Sequence, residues 1–276
     1  MYTKCIYFDI DGTLVPDGVT LTNKTIMAIR YLKDKNIKIG LATGRNIFFA
    51  EYFAKVLDVD MPLVCVNGAW IVTPKDYLNI STKYIDFKPQ LQLLDVLYKE
   101  KKDFLVYTID GVYSTSENQP FYKRLLSVQE KLKEKKIKSR LVYEMKVNPN
   151  LVFYSKQKLL KVLICYDNVS EKIKYENILS NIPNLAFSVS QNGIIDIYNG
   201  EVDKANGIEY AINNFRINKR EVMVFGDNDN DLNMMKTFKM SVALKNADYQ
   251  IRKAATYTTD FTCEEEGVAD FIFKHF

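Results

Sequence analysis

The chain has 276 residues, long for one domain and comfortable for two, with 47% hydrophobic and 26% charged residues, the composition of an ordinary globular protein. A formal net charge of +4 is small for this size and gives no reason to expect a nucleic-acid binder, and no run approaches the ~20 apolar residues of a membrane span. The single histidine, His275, stands beside the C-terminus, which excludes a Ser-His-Asp or Cys-His site and an imidazole-built zinc site; acid-base or metal chemistry must rest on carboxylates, Lys, Tyr and backbone groups.

Lys4 to Phe8 is a short apolar run that ends at an acidic loop. The spacing of Ile26, Ile29, Tyr31 and Leu32 predicts a helix over Leu21 to Lys35, with Thr22 as N-cap. Ile37 to Leu41 reads as a second buried strand, followed by Ala42-Thr43-Gly44-Arg45 and a helix from Ile47 to Leu57. Pro62 to Val66 is a third strand, and Asn67-Gly68 a hairpin turn into Trp70-Ile71-Val72. Strands that alternate with helices argue for a parallel sheet covered on both faces. The N-terminus enters a strand almost at once, leaving no room for a signal peptide. Cys5, Cys65, Cys165 and Cys263 lie far apart with no C-x-x-C pair. The expected compartment is the cytoplasm.

From about Tyr84 the chain is richer in Lys, Tyr and Ser. Phe104 to Thr108 and Val112 to Ser114 read as strands joined at Asp110-Gly111, and Val162 to Tyr166 as another. Helices are expected near Gln90 to Lys99, Pro120 to Lys135 and Glu171 to Leu179. This is the pattern of an inserted α+β domain, assigned to residues 84–191. The first pattern then returns: a helix over Lys204 to Asn214, a strand over Glu221 to Phe225, a helix over Asp229 to Lys236 and a strand over Met240 to Ala243. The fold class expected is therefore α/β, a parallel-sheet core (residues 1–83 and 192–276) split by the insertion.

Four elements carry candidate chemistry, three of them at the end of a predicted strand, where open parallel sheets place their ligand crevice. Asp9 and Asp11 stand at i and i+2, so both can point into one space, and Gly12 then turns the chain. Paired carboxylates repel unless a cation lies between them or one is protonated, and both solutions suit phosphoryl transfer. A plain Asp-Gly turn with an incidental acid remains the alternative. Thr43-Gly44 offers a hydroxyl and free backbone N–H groups at the opening of a helix, suited to a phosphate oxygen or, more simply, to helix capping. Lys204 is a point charge matched to phosphate, promoted only by its place in the series. In Gly226-Asp227-Asn228-Asp229-Asn230-Asp231, five short polar or acidic side chains follow a buried strand, a density that a hard divalent cation relieves; the spacing is not that of an EF-hand. A solvated loop with an Asp N-cap is the alternative.

Taken in order, Asp9-Ile10-Asp11-Gly12-Thr13-Leu14, Thr43-Gly44-Arg45, Lys204 and Gly226-Asp227 with Asn230-Asp231 resemble the haloacid dehalogenase superfamily. Asn67-Gly68-Ala69, Asp203 to Ile208, Val242 to Ala247 and Glu266 to Ala269 resemble its Cof-type branch, subclass IIB. The resemblance covers nearly the whole chain. It implies a Rossmann-like core with a mobile cap of type C2B that supplies substrate recognition. It implies Asp9 as the nucleophile that forms an aspartyl-phosphate and Asp11 as general acid, then base. Thr43 and Lys204 would hold phosphoryl oxygens; Gly12, Thr13, Gly44, Arg45, Asn67 and Asn230 would line the phosphate and substrate site. Mg²⁺ would be held by Asp9, by Asp11 through its backbone carbonyl, and by Asp227, with Asp231 reaching it through water. The implied partner is a small phosphorylated metabolite, sugar phosphates first and phosphorylated cofactors second, with no nucleic acid or membrane. A phosphotransferase or mutase using the same Asp9 chemistry and a non-catalytic phospholigand sensor are the alternatives. Lys245 departs from the family, which has a small residue there. Tyr107, Tyr113 and Tyr122 are cap aromatics that could face a sugar or a ring, or simply fill the core.

Overall fold

The computed structural model describes residues 3–134, 145–148, 150–191 and 193–276. The chain forms two compact units, Met1–Ser81 with Asp203–Phe276, and Thr82–Val202.

In the first unit five parallel strands lie in the order Tyr257–Thr258, Met240–Ala243, Val222–Gly226, Cys5–Phe8 and Lys38–Leu41. All four residues of Cys5–Phe8 are fully buried, as their unbroken apolar run requires of an interior strand covered on both faces. On one face Cys5, Tyr7, Val222 and Val224 pack with Ile208, Ala211, Met234 and Ile251, carried by the helices Lys204–Asn213, Leu232–Thr237 and Tyr249–Ala254. On the other, Phe225 stacks on Phe8 with ring centroids 4.9 Å apart and meets the edge of Phe271, from the helix Gly267–His275. The register pairs Phe8 with Phe225 and with Leu41. The loops that begin at Asp9, Ala42 and Asp227 therefore leave the sheet at the same edge.

The strands Leu63–Cys65 and Trp70–Val72 form the expected antiparallel hairpin. Its attachment to the sheet is a bridge between Ala42 and Val64, with Thr43 N donating to Val64 O at 2.8 Å. The turn is left-handed at three successive residues, Val66 (φ 52°), Asn67 (φ 56°) and Gly68 (φ 104°). For a β-branched valine that backbone is strained. It is held by Val66 N donating to Arg45 O and Asn67 N donating to Thr43 O, both at 2.9 Å. The turn is thus clamped to the loop after the second sheet strand.

The second unit carries a six-stranded sheet in the order Leu185–Gln191, Ile194–Asn199, Lys161–Cys165, Phe104–Tyr107, Val112–Ser114 and Met145–Val147. Its pairs are antiparallel except the last, which is parallel. Phe104, Val106, Val162, Ile164, Ile195 and Ile197 face one way, into a core closed by Leu93, Leu94 and Leu97 of the helix Phe87–Lys99 and Tyr175 and Leu179 of Val169–Ser180. The Asp110-Gly111 turn joins two strands as its sequence predicts. Return to the first unit, expected at residue 192, comes at Asp203 instead. The strand Ile194–Asn199 is hydrogen-bonded on both sides by strands of the second unit, which fixes the boundary beyond it. The helix expected up to Lys135 runs over Pro120–Glu134; Lys135 lies outside the described residues. Among those residues no helix is long and apolar enough to cross a membrane.

Gly207 sits where the helix Lys204–Asn213 crosses the hairpin: a Cβ there would lie 2.5 Å from Val64 Cγ1 and 3.1 Å from Gly68 Cα. Gly207→Ala should lower stability by about 1–3 kcal/mol in chemical denaturation, overpacking outweighing the gain in helix propensity; equal or greater stability would show that this crossing is loose.

Candidate active site

Asp9 N donates to Phe225 O at 2.9 Å, continuing the parallel ladder one residue past the strand and bringing Asp9 beside the Gly226-Asp227 turn. Gly12 (φ 77°) then lets the chain pass close to Asp227: a Cβ on Gly12 would lie 2.2 Å from Asp227 Oδ2. Only glycine meets both demands. Thr13 Oγ1 donates to the other Asp227 oxygen at 2.6 Å.

Lys204 opens its helix, and that start is set by Asp203, whose side chain accepts from Asn206 N at 2.7 Å and from Asn233 Nδ2 at 3.2 Å. Lys204 is fully buried; its Nζ donates to Asp9 Oδ1 at 2.6 Å and Asp231 Oδ1 at 2.7 Å. Asp231 Oδ2 accepts from the N–H groups of Asp227 and Asn228 at 2.9 and 3.0 Å. Asp231 therefore both ties Lys204 down and shapes the loop that presents Asp227.

Asp9, Asp227 and Asp231 each offer an oxygen, all within 4.8 Å of one another. One ammonium stands against these three carboxylates. Burial pushes the Asp9 carboxyl up to about 7; Lys204 pulls against that shift, while Asp231 and Asp11 add to it. Burial, with Asp9 and Asp231 beside it, also raises Asp227 well above the carboxylate range. Burial works to discharge Lys204, but Asp231 and Asp9 outweigh it and hold the ammonium charged. Lys204 takes only Oδ1 of Asp9, and Thr13 only Oδ1 of Asp227. The Oδ2 atoms of both accept no hydrogen bond from the described residues. Unpartnered hard oxygens in an anionic, buried cluster fit a divalent cation such as Mg²⁺.

The remaining expected residues gather around this centre within the first unit. Thr43 is buried, and its Oγ1 accepts from Arg45 N at 3.2 Å. Gly44 leaves room for Asn67, whose Oδ1 would stand 3.0 Å from a Cβ at that position. Asn67 Oδ1 accepts from Asn230 Nδ2 at 3.0 Å, leaving Asn67 Nδ2 and Asn230 Oδ1 buried with no partner. Buried amide atoms are seldom left so outside a ligand site.

Asp11 lies close enough to add to the shift at Asp9. Its carboxylate does not join the cluster of three; Arg45 holds it through Nε to Oδ2 and Nη2 to Oδ1, both 2.6 Å, and Nη2 also donates to Gly18 O at 2.6 Å. The Arg45 guanidinium lies 5.0 Å from the Phe53 ring centroid. A bidentate pair of this kind is the strong form of Arg–carboxylate contact, and no short motif announces a partnership across 34 residues.

Two residues quoted only within longer motifs support the site. Asp203 is visible only as a helix cap. Asn246 Nδ2 donates to Gly12 O at 3.0 Å while its Oδ1 accepts from Cys263 N at 2.8 Å, so it staples the Asp9–Gly12 loop to the C-terminal segment. Its neighbour Lys245 fits by packing: its N–H bonds Thr259 Oγ1 at 2.9 Å and its Nζ lies 6.0 Å from the Phe261 ring centroid.

Residues 6–272 match the haloacid dehalogenase-like hydrolases. The chain belongs to that family. It sits in the Cof-type branch, an enzyme of the family's phosphatase and phosphotransferase class. Among curated relatives, the 5-amino-6-(5-phospho-D-ribitylamino)uracil phosphatase YwtE of Bacillus subtilis is 26% identical, over 98% of this chain and 96% of its own. A solved haloacid dehalogenase-like hydrolase of B. subtilis superposes with a TM-score of 0.85 at 20% identity, covering 99% of both chains. A haloacid dehalogenase subclass IIB sugar phosphatase superposes at 0.83 with 21% identity, covering 99% of this chain and 98% of its own. At these identities the solved structures establish the fold.

A raised carboxyl pKa means that the folded, cation-free protein binds a proton that the unfolded chain, with an ordinary Asp near 3.8, has released. The stabilisation this gives is complete below about pH 4 and is lost as pH rises through about 7. Removing the charge should thus help most at high pH. Asp9→Asn should melt higher than wild type in EDTA at pH 8, and the difference should shrink toward zero near pH 4; a difference independent of pH would refute the buried charge cluster. Binding of Mg²⁺, which must displace these protons, should tighten from pH 5.5 to 7.5 and release protons in calorimetry.

Proposed function

We propose that this enzyme is a Mg²⁺-dependent phosphatase of small phosphorylated metabolites, sugar phosphates before phosphorylated cofactors, with Asp9 as its nucleophile. The observation that carries the reading is the state of Asp9: buried at the sheet edge, one oxygen pinned by Lys204 and the other without a partner. The relative that acts on a phosphorylated ribityl compound, and the solved sugar phosphatase, support a phosphorylated polyhydroxyl substrate.

In this reading an Asp9 carboxylate oxygen attacks phosphorus, the bond from phosphorus to the ester oxygen breaks, and the departing oxygen takes a proton from Asp11. Water then attacks the aspartyl-phosphate, gives its proton to Asp11, and restores Asp9 with release of phosphate. Splitting one displacement into two is the gain from a covalent intermediate. Mg²⁺, held by Asp9 and Asp227, with Asp231 reaching it through water and Asp11 through its backbone, would neutralise the charge that otherwise opposes attack of a carboxylate on a phosphate. Lys204 fixes the attack geometry and adds a positive charge next to the transferring group; the Thr43 hydroxyl and the unpartnered Asn67 amide are donors for phosphoryl oxygens. Gly12, Thr13 and Gly44 shape the cradle, and Asn230 orients Asn67. Arg45 grips both Asp11 oxygens, so proton delivery requires that pair to part, and an incoming phosphate dianion competes for the guanidinium.

Asp9→Asn should lower turnover of phosphate monoesters by on the order of 10⁴-fold or more with the fold retained by circular dichroism; turnover near wild type removes Asp9 as nucleophile. EDTA should stop activity and Mg²⁺ restore it. Inorganic phosphate should appear without an added acceptor alcohol, and strict dependence on an acceptor would make the enzyme a phosphotransferase instead.

A further inference from the structure

The sheet of the second unit ends on the strand Leu185–Gln191. Gly200 N donates to Asn184 O at 2.8 Å, which makes these two a hydrogen-bonded pair of the antiparallel ladder. By alternation Ala186 and Ser188 turn their backbone groups inward, to Tyr198 and Asp196 of the neighbouring strand. The next ladder agrees: Tyr166 N donates to Gly193 O at 2.9 Å, so Ile195 and Ile197 bond the strand on their other side, Lys161–Cys165. The N–H and C=O groups of Leu185, Phe187 and Val189 therefore point out of the sheet, and they meet no partner among the described residues.

Open edges are ordinarily guarded by shortness, charge, proline or cover. The opposite edge of this sheet, Met145–Val147, has three residues and carries Lys146, and one edge of the five-stranded sheet has only the two of Tyr257–Thr258. Leu185–Gln191 has seven residues with no charge and no proline. Its regular stretch runs to Val189, where the register shifts. The residues that bond outward are also the larger apolar ones. Leu185, Phe187 and Val189 stand opposite Asn199, Ile197 and Ile195, on the face that carries the core, and each is half-buried.

Such a row is complementary to itself. About a two-fold axis at Phe187, an antiparallel copy sets Phe187 against its own equivalent and Leu185 against Val189 on either side. Each pair then exchanges both hydrogen bonds, and the apolar stripe continues across the join. No charge meets its like, since the segment has none. The helix Val169–Ser180, which packs on the same strand, leaves Val169 and Ile173 69% and 50% exposed at i and i+4, apolar surface that adds to what a second subunit can cover.

We propose that the strand Leu185–Gln191 is a dimer interface of this protein, pairing antiparallel with the same strand of a second copy and joining the two sheets into one. The inference concerns association and does not depend on the phosphatase reading.

Sedimentation velocity of the whole chain from about 1 to about 200 μM should show a monomer–dimer equilibrium; monomer at every concentration overturns the proposal. Strand pairing also has a signature in residue-resolved hydrogen exchange. The amides of Leu185, Phe187 and Val189 should exchange at least about 10-fold more slowly at the high concentration than at the low one, while those of Ala186 and Ser188, bonded within the sheet, change little. A dimer in which all five respond alike, or none responds, is joined elsewhere, and this too overturns it. Phe187→Lys sets two ammonium groups face to face at the axis and should weaken dimerisation by on the order of 10-fold or more, with far-UV circular dichroism unchanged; unchanged association of the folded variant refutes the pairing. If that variant does not fold, the exchange pattern of the wild-type chain decides.

Discussion

The organisation of the first unit depends on one buried ammonium. Lys204 bonds two carboxylates from opposite ends of the chain, Asp9 and Asp231, in a place fully closed to solvent. An unpaired charge there would be untenable, and so would either aspartate without the lysine. The lysine is therefore indispensable to both aspartates. The helix cap at Asp203 delivers Lys204, the ladder bond from Phe225 delivers Asp9, and the backbone amides of Asp227 and Asn228 deliver Asp231. Each is an ordinary local device, and their intersection makes the site. The lysine nevertheless balances only part of the negative charge, which gives the cluster its appetite for protons or a divalent ion.

Much of this was legible in the residues. Unbroken apolar strands followed by Asp, Thr or Gly-Asp marked the sheet edge, because parallel strands buried on both faces read as continuous apolar runs that stop where the ligand crevice begins. The Asp110-Gly111 turn and the Thr22 cap were equally visible, since both are local chemistry. Less legible was anything set by pairing at long range. The strand Ile194–Asn199 has Asp196 and Asn199 among its apolar residues and follows closely on another strand, so only its partners on either side reveal to which unit it belongs. Met145–Val147 and Tyr257–Thr258 are too short to announce themselves.

The candidate site divides in the same way. Motif positions picked out Asp9, Lys204, Asp227 and Asp231, which the fold brings together, while spacing alone does not announce that the Asp11 carboxylate pairs with Arg45. Two acids at i and i+2 can share a space, but the choice of partner belongs to whichever cation is nearer and better shaped, and a guanidinium offering two parallel N–H groups is matched to a carboxylate. Asn246 stood within the Val242 to Ala247 motif, but its task, holding a backbone carbonyl, leaves no mark in a sequence.

The staple from Asn246 to Gly12, together with the pairing of Cys5–Phe8 against Val222–Gly226, has a consequence for biosynthesis. Along this sequence the strand Cys5–Phe8 comes before the other strands of its sheet, where it lies in the interior, and its neighbour on one side follows more than two hundred residues later. Until then its apolar run has no lasting partner on that side, a state in which chains recruit chaperones or aggregate. The inserted unit, by contrast, is one continuous segment and can close on itself as soon as it emerges. Its place between the two halves of the sheet lengthens the interval during which the strand Cys5–Phe8 waits, and assembly of the Asp9–Gly12 loop must await the second half.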